Sequence, residues 1–374
     1  MGYAYTPGLT VAEHTVVRKV RRLPLKGRVL VQVGQPVQAH DIVAQTNLPG
    51  DVRPINLASK LGIAPEELAA VMVKSEGDPV AEHERLARTR GLWGFFRTEV
   101  RSPVAGTVES ISHVSGQVII RGQPTPLEKT AYACGKVVHV EPEESATVEI
   151  CGTFIQGIFG VGGEAQGILE VLVDSPTDVL EASAIGPQHA GRIIVGGSLV
   201  TADAVQAALT HGVKGIVCGG LDDADLRGFL GYELGVAITG DETLGLTLVV
   251  TEGFGPIRMA TRTFDLLRRR AGLLASIDGT TQIRAGVIRP EVVIPLEQVP
   301  ADAITEAGLG GTLEVGAALR AIREPYFGRL GRCTGLPAGL VSLPSETTVR
   351  VLEVEFDNGE RAILPRANVE LIKQ

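Results

Sequence analysis

"RLARTRGLWGFFRTEVRSPVAGTVESI", residues 85–111, decides how the first half of this chain is read. Its second half alternates apolar and polar residues around Pro103 and Gly106, the pattern of a strand, a tight turn and another strand. Its first half closes "EGDPVAEHERLART" (76–89), which has a counterpart upstream in "VGQPVQAHDIVAQT" (33–46). Both copies run Gly–x–Pro–Val, then a turn holding His83 or His40, then an apolar pair ending in alanine. A second glycine-containing β element comes after each copy, "PGDVRPI" after the first and "SPVAGTVESI" after the second. The expectation is two β hammerheads that close on each other into a small barrel or sandwich, which removes exposed sheet edges. Between them, "NLASKLGIAPEELAAVMVK" predicts a helical insertion. Pro65 suits the first helical position, Glu66 and Glu67 the first turn, and Leu68, Val71 and Met72 an apolar face.

The element "VRSPVAGTVESISHVSGQVIIRGQP" resembles the return half of biotinyl- and lipoyl-carrier domains, and residues 27–140 as a whole resemble their barrel-sandwich hybrid fold. The non-lipoylated form in the C subunit of the Rnf electron-transport complex and in the large subunits of RNA polymerase is similar. The resemblance implies a modified lysine on the hairpin before "SPVAGTV". The matching stretch here is "TRGLWGFFRTE", and no lysine occurs between Lys74 and Lys129. Covalent biotin or lipoate is therefore not expected, and neither is any other cofactor. Trp93, Phe95 and Phe96 in that stretch have two readings: an exposed apolar protrusion that meets a protein partner, or rings that plug the barrel.

Beyond this region the texture changes. "TVEICGTFIQGIFGVGGEAQGILEVLV" (147–173) is glycine-rich, but the run "ILEVLV" after its glycines alternates like a strand. A phosphate cradle needs a helix there, so the glycines predict a turn or bulge between strands. From Gly186 onward, short buried strands alternate with helices. "TADAVQAALTHG" (201–212) has Thr201 as N-cap and Gly212 as stop; "PIRMATRTFDLLRRRAG" (256–272) has Pro256 at its first helical position and three arginines at its end. This order predicts a small α/β domain with a mostly parallel sheet. "ASIDGTTQIRAGVIRPEVVIPL" (275–296) reads as its antiparallel edge. Ligands bind outside the carboxyl ends of such strands, where Ser198, Gly219, Gly220, Asp222, Asp223, Thr251, Glu252, Gly253, Gly255 and Arg258 gather. The same residues also serve as helix caps and tight corners.

Residues 315–372 resemble a KOW motif in an SH3-like barrel, as in NusG and some ribosomal proteins, through "LRAIREP", the "YFGRLGRC" turn, the Asp357-Asn358-Gly359 hairpin and a closing "ANVELI". The resemblance implies binding to RNA or to proteins of transcription and translation. Between 313 and 374 the charges balance, eight cations against eight anions, which is a poor footprint for nucleic acid. Arg320, Arg323, Tyr326, Phe327 and Arg329 cluster early in the motif and are the candidate protein-docking residues.

The fold class is α+β and multi-domain: a β-rich barrel-sandwich hybrid with helical insertion and β extension over 1–180, a central α/β domain over 181–305, and a KOW/SH3-like barrel over 306–374. The net charge of −8 gives the whole chain no attraction to nucleic acid or anionic membranes. The exception is residues 1–28, where Arg18, Lys19, Arg21, Arg22, Lys26 and Arg28 face Glu13 alone. Cys134, Cys151, Cys218 and Cys333 are far apart, which disfavours a metal site or a disulfide framework and suits a reduced, cytoplasmic protein. No run is long enough to insert in a membrane, and no signal-peptide pattern is present. No nucleophile elbow, metal-binding helix or phosphate loop occurs, and the histidines are scattered. The function expected is a non-catalytic adaptor or assembly protein. The alternatives are nucleic-acid binding through the KOW-like barrel, and a ligand-binding or enzymatic α/β module.

Overall fold

A computed structural model describes residues 9–89, 98–222, 245–281, 288–297, 313–321, 325–326, 329–342 and 348–371. Strand dominates. Among the described residues the largest sheet has 13 strands and runs from Phe159–Val161 through Thr247–Phe254, Gly215–Leu221, Ile193–Val195, Glu164–Val171, Leu274–Asp278, Glu291–Pro295 and Ser145–Gln156 to Gly135–Glu141 and Pro36–Val37. Its middle is parallel: Glu164–Val171, Ile193–Val195, Gly215–Leu221 and Thr247–Phe254 pair in that sense. The flanks are antiparallel. The first strand of the chain, Val11–Arg22, lies along Ser145–Gln156.

Ile193–Val195, Gly215–Leu221 and Thr247–Phe254 are buried on both faces, whereas Glu164–Val171 is only partly buried. On one face the helix Ala202–Thr210 packs Ala204, Val205 and Ala208 against Ile194, Ile216 and Val250. Its N-cap is Thr201, whose hydroxyl accepts from the Ala204 N–H at 3.2 Å, as the sequence indicates. On the other face the helix Thr261–Arg269 packs Phe264, Leu266 and Leu267 against Val217, Val249 and Ile277. This helix begins later than the proline rule places it. Residues 255–259 precede it without helical structure, and Ala260 is the N-cap.

The segment 275–296 is not a sheet edge. Leu274–Asp278 pairs with Glu164–Val171 on one side and Glu291–Pro295 on the other, and Glu291–Pro295 continues onto Ser145–Gln156. It bridges the parallel strands to the N-terminal β region. The alternation rule misplaces it because both strands are buried on both faces, with Ala275, Ile277, Val292, Val293 and Ile294 all inaccessible.

The two hammerhead repeats do not close on each other. Each closes on its own return segment, and one module is nested in the other. The first repeat pairs Ile42–Leu48 with Thr125–Thr130 and Pro36–Val37 with Gly135–Glu141. The second pairs Arg85–Arg88 with Glu99–Arg101 and Pro79–Val80 with Gly106–Ile111. Several hydrogen bonds recur at equivalent positions. The Gly34 N–H donates to Val137 O and the Gly77 N–H to Val108 O, at 2.7 and 2.8 Å. Asp41 O accepts from Ala131 N–H, and Glu84 O from Ser102 N–H. Gly34 and Gly77 both have φ near +90°, at +91° and +89°, which explains why both repeats start on glycine. "PGDVRPI" is therefore not the first repeat's partner; "AYACGKVVHV" (131–140) is. Val52–Asn56 instead pairs with Gln117–Gly122 inside the second module. The helical insertion forms as three short pieces, Leu57–Leu61, the 3-10 turn Pro65–Glu67 and Leu68–Val71, and packs within that module.

The first module's core gathers Val37, Val43, Ala131, Tyr132, Val137, Val148 and Ile150 around the large sheet. Tyr132 is its largest fully buried side chain, and its carbonyl accepts from Ser276 Oγ at 2.6 Å and Gln166 Nε2 at 2.9 Å. The C-terminal strands make a six-stranded half-barrel in which the last, Val369–Leu371, pairs with the first, Ala318–Ala321. Its core is separate: Leu319, Ala321, Cys333, Leu352, Val354 and Phe356.

This burial has measurable consequences. Cys134 and Cys151 are partly accessible and Cys218 and Cys333 are buried, so a thiol reagent is expected to label the first pair in the native protein and all four only in denaturant. Labelling of Cys218 at the same rate as Cys134 would contradict the packing. Alkaline pH gives a second readout. Burial pushes the Cys218 thiol up to about 12 and raises Tyr132 well above its ordinary value, with Glu291 and Asp278 adding to it. Both groups are neutral when protonated, and the unfolded chain releases these protons first. Their stabilisation is full below about pH 9 and is lost as pH rises toward the folded values, by roughly 1.4 kcal/mol per pH unit per group. Cys218→Ala should therefore show a shallower fall in urea midpoint between about pH 9 and 11 than the parent chain; parallel slopes would refute it.

Candidate functional site

In the strand Thr247–Phe254 the apolar run Leu248–Val250 is followed by Thr251 and Glu252 at its carboxyl end. Glu252 is only 1% exposed, so its carboxylate needs partners inside the protein. It has three. One oxygen accepts from the Ala260 N–H at 3.0 Å, capping the start of Thr261–Arg269. The same oxygen accepts from the Thr251 hydroxyl at 3.2 Å. The other accepts from Nη2 of Arg320, whose Nη1 donates to the Thr251 carbonyl at 3.0 Å. The two charged side chains, 4% and 2% exposed, tie the half-barrel to the large sheet. Beside them lies a cleft of about 460 Å³, walled mainly by apolar atoms of Leu9, Val11, Thr261, Leu319 and Leu330, with Arg262 and Arg332 on its rim.

By sequence Glu252 falls among the ligand candidates and Arg320 among the partner-docking residues; the fold brings them together inside the molecule. The sequence signal is present but split. Glu252 is the single charge in "LTLVVTEGFG", and in the half-barrel strand Arg320 alternates with the core residues Leu319 and Ala321. A lone charge in each of two buried strands marks a pair, but nothing in sequence matches one to the other across 68 residues.

The other crevice residues serve the chain's own backbone. Gly219 and Gly220 lie beneath residues 255–259. A Cβ on Gly219 would sit 2.4 Å from Ile257 O, and one on Gly220 1.9 Å from Gly255 O. The Gly255 N–H donates to Leu221 O, and Gly253 pairs with Gly220 in the parallel register. Ser198 donates its hydroxyl to Thr177 O at 2.7 Å and its N–H to Asp178 O. Asp222 is exposed at the edge of the described residues. Asp223, Trp93, Phe95, Phe96, Arg323 and Phe327 lie outside them.

Of the remaining docking candidates, Tyr326 stacks on Phe356 at 5.0 Å between ring centres, and the Arg329 guanidinium lies 5.5 Å from the Tyr326 ring. Arg329 also pairs with Glu360, and that hydrogen bond holds the Glu360 carboxyl below the usual range. Tyr326, Arg329, Phe356 and Glu360 thus form one cluster. Of the N-terminal cations, five lie beside carboxylates: Arg18 with Glu149, Lys19 with Glu291, Arg21 with Glu164, Arg22 with Glu141 and Glu144, and Lys26 with Glu143; Arg28 is exposed. His40 and His83 hold equivalent positions in different modules, and no group of three or more His, Cys, Asp or Glu suited to a metal ion occurs among the described residues. No described helix is long and apolar enough to cross a membrane.

No protein-family model matches the chain, and no curated protein matches it.

Proposed function

We infer that the chain is a non-catalytic adaptor or assembly protein that acts through protein–protein contacts. It combines carrier-like β modules that carry no lysine at the expected hairpin with a KOW-like half-barrel. The observation that carries this reading is the filling of the strand-end crevice by the chain's own residues 255–259, with Ser198, Thr251 and Glu252 spent on internal hydrogen bonds. Groups used in this way hold modules together and are not left free for chemistry. The neutralised basic strand also favours protein partners over nucleic acid, since phosphate binding needs surplus cations. The test is affinity purification of the native protein with and without nuclease. Protein partners that persist after nuclease treatment are expected. Co-purification that disappears with nuclease, joined to salt-dependent RNA binding by the pure chain, would replace this reading with the nucleic-acid one.

A ligand-binding reading is favoured by one feature, the cleft beside Glu252, whose size suits a small molecule. A metabolite that raises the melting temperature, and loses that effect in Arg332→Ala at the rim, would support it.

A further inference from the structure

We propose that residues 51–122 form a head that reorients as a rigid unit on a neck at Gly50 and Gly122, while the half-barrel stays clamped by Arg320 and Glu252. The nesting of the two modules is the starting point. In the second module the hairpin pairs Arg85–Arg88 with Glu99–Arg101. In the first module the equivalent hairpin, Ile42–Leu48 with Thr125–Thr130, carries the whole second module at its tip. Among the described residues, the covalent links between the head and the rest are these two chain crossings.

The head's core is its own: Ile55, Leu57, Leu68, Leu86, Val108 and Ile120 pack in one cluster whose members, among the described residues, all lie within 51–122. Among the described residues, every hydrogen bond, strand pairing and ion pair made by 51–122 ends within 50–122. The other units are joined differently. The first module shares Ser145–Gln156 with the large sheet, and the half-barrel has a buried ion pair. Relative motion is the default where no large apolar interface restrains two units.

The neck is built for close passage. At Gly50 a Cβ would lie 2.1 Å from Gly122 O, so the two crossing strands touch backbone to backbone. The Gly122 N–H donates to Asp51 O at 2.8 Å, and Arg121 Nη1 to Gly50 O at 3.3 Å. These bonds lie on the head side of the neck and move with it. Glycine at both positions means that neither Gly50 nor Gly122 adds a side chain of its own to the crossing.

The test uses the whole chain. Backbone ¹⁵N relaxation should give head amides, read at Val108, Val118 and Ile120, a rotational correlation time shorter by about a third or more than that of Ile216, Val249 and Ile277 in the body. Native-state hydrogen exchange in sub-denaturing urea should show the head amides opening together on an isotherm separate from the body's. Equal correlation times would overturn the proposal. A single isotherm shared by head and body would overturn it as well, since it would make the two one cooperative unit.

Discussion

Replacing Arg320 with methionine is expected to destabilise the protein by about 3–5 kcal/mol, the usual result of leaving a buried charge without its partner. Methionine keeps roughly the length and the apolar stem of the arginine side chain, so little space is opened at the buried site. Glu252 bears the loss: it would keep its bonds from the Ala260 N–H and the Thr251 hydroxyl but lose the cation. The pair as a whole need not be stabilising, because desolvating two charges offsets most of their attraction. The double variant Arg320→Met with Glu252→Met should therefore recover a large part of the loss, leaving mainly the uncapped Ala260 N–H, worth about 1 kcal/mol. Urea unfolding followed by circular dichroism measures both. A single-variant loss below about 1 kcal/mol, or a double variant no better than the single, would mean that the clamp is not electrostatic in the way described.

Gly220→Val should cost about 3 kcal/mol or more, at the upper end of overpacking effects. The added Cβ would fall 1.9 Å from Gly255 O and 2.8 Å from Ser198 O. Both neighbours are backbone, so no rotamer change relieves the overlap; residues 255–259 would have to move off the strand end. That would pull Ala260 from Glu252 and open the first turn of Thr261–Arg269. A glycine kept free for a ligand would tolerate valine without loss of stability. A Gly220→Val protein that melts with the parent chain would therefore refute the close backbone crossing and restore the ligand reading of this position.

Local features are legible in the sequence where short-range chemistry decides them. Thr201 caps its helix, Gly212 with φ +70° ends it, and Gly359 with φ +81° turns the Asp357-Asn358-Gly359 hairpin. Ile193–Val195, Gly215–Leu221 and Thr247–Phe254 are legible because burial on both faces leaves short apolar runs. The helix expected from Pro256 starts elsewhere because its first turn is set by a carboxylate on a different element. Glu252 binds the Ala260 N–H, and residues 255–259 are held across Gly219 and Gly220.

The repeat itself is plain, since Gly34 and Gly77 need the same left-handed backbone. Which segment completes each repeat is not. "PGDVRPI" and "AYACGKVVHV" are equally good strands alone, and strand pairing is chosen by the other surfaces each can bury. The candidate site divides in the same way. By itself the sequence determined the elements, their glycine turns, the duplicated motif and the missing lysine, because these depend on φ, side-chain period and composition. Only the tertiary structure decided the nesting of one module in the other, the bridging place of 275–296 and the meeting of Glu252 with Arg320. Those depend on contacts between residues far apart in the chain, whose partners are selected by burial in three dimensions and leave no mark on local pattern.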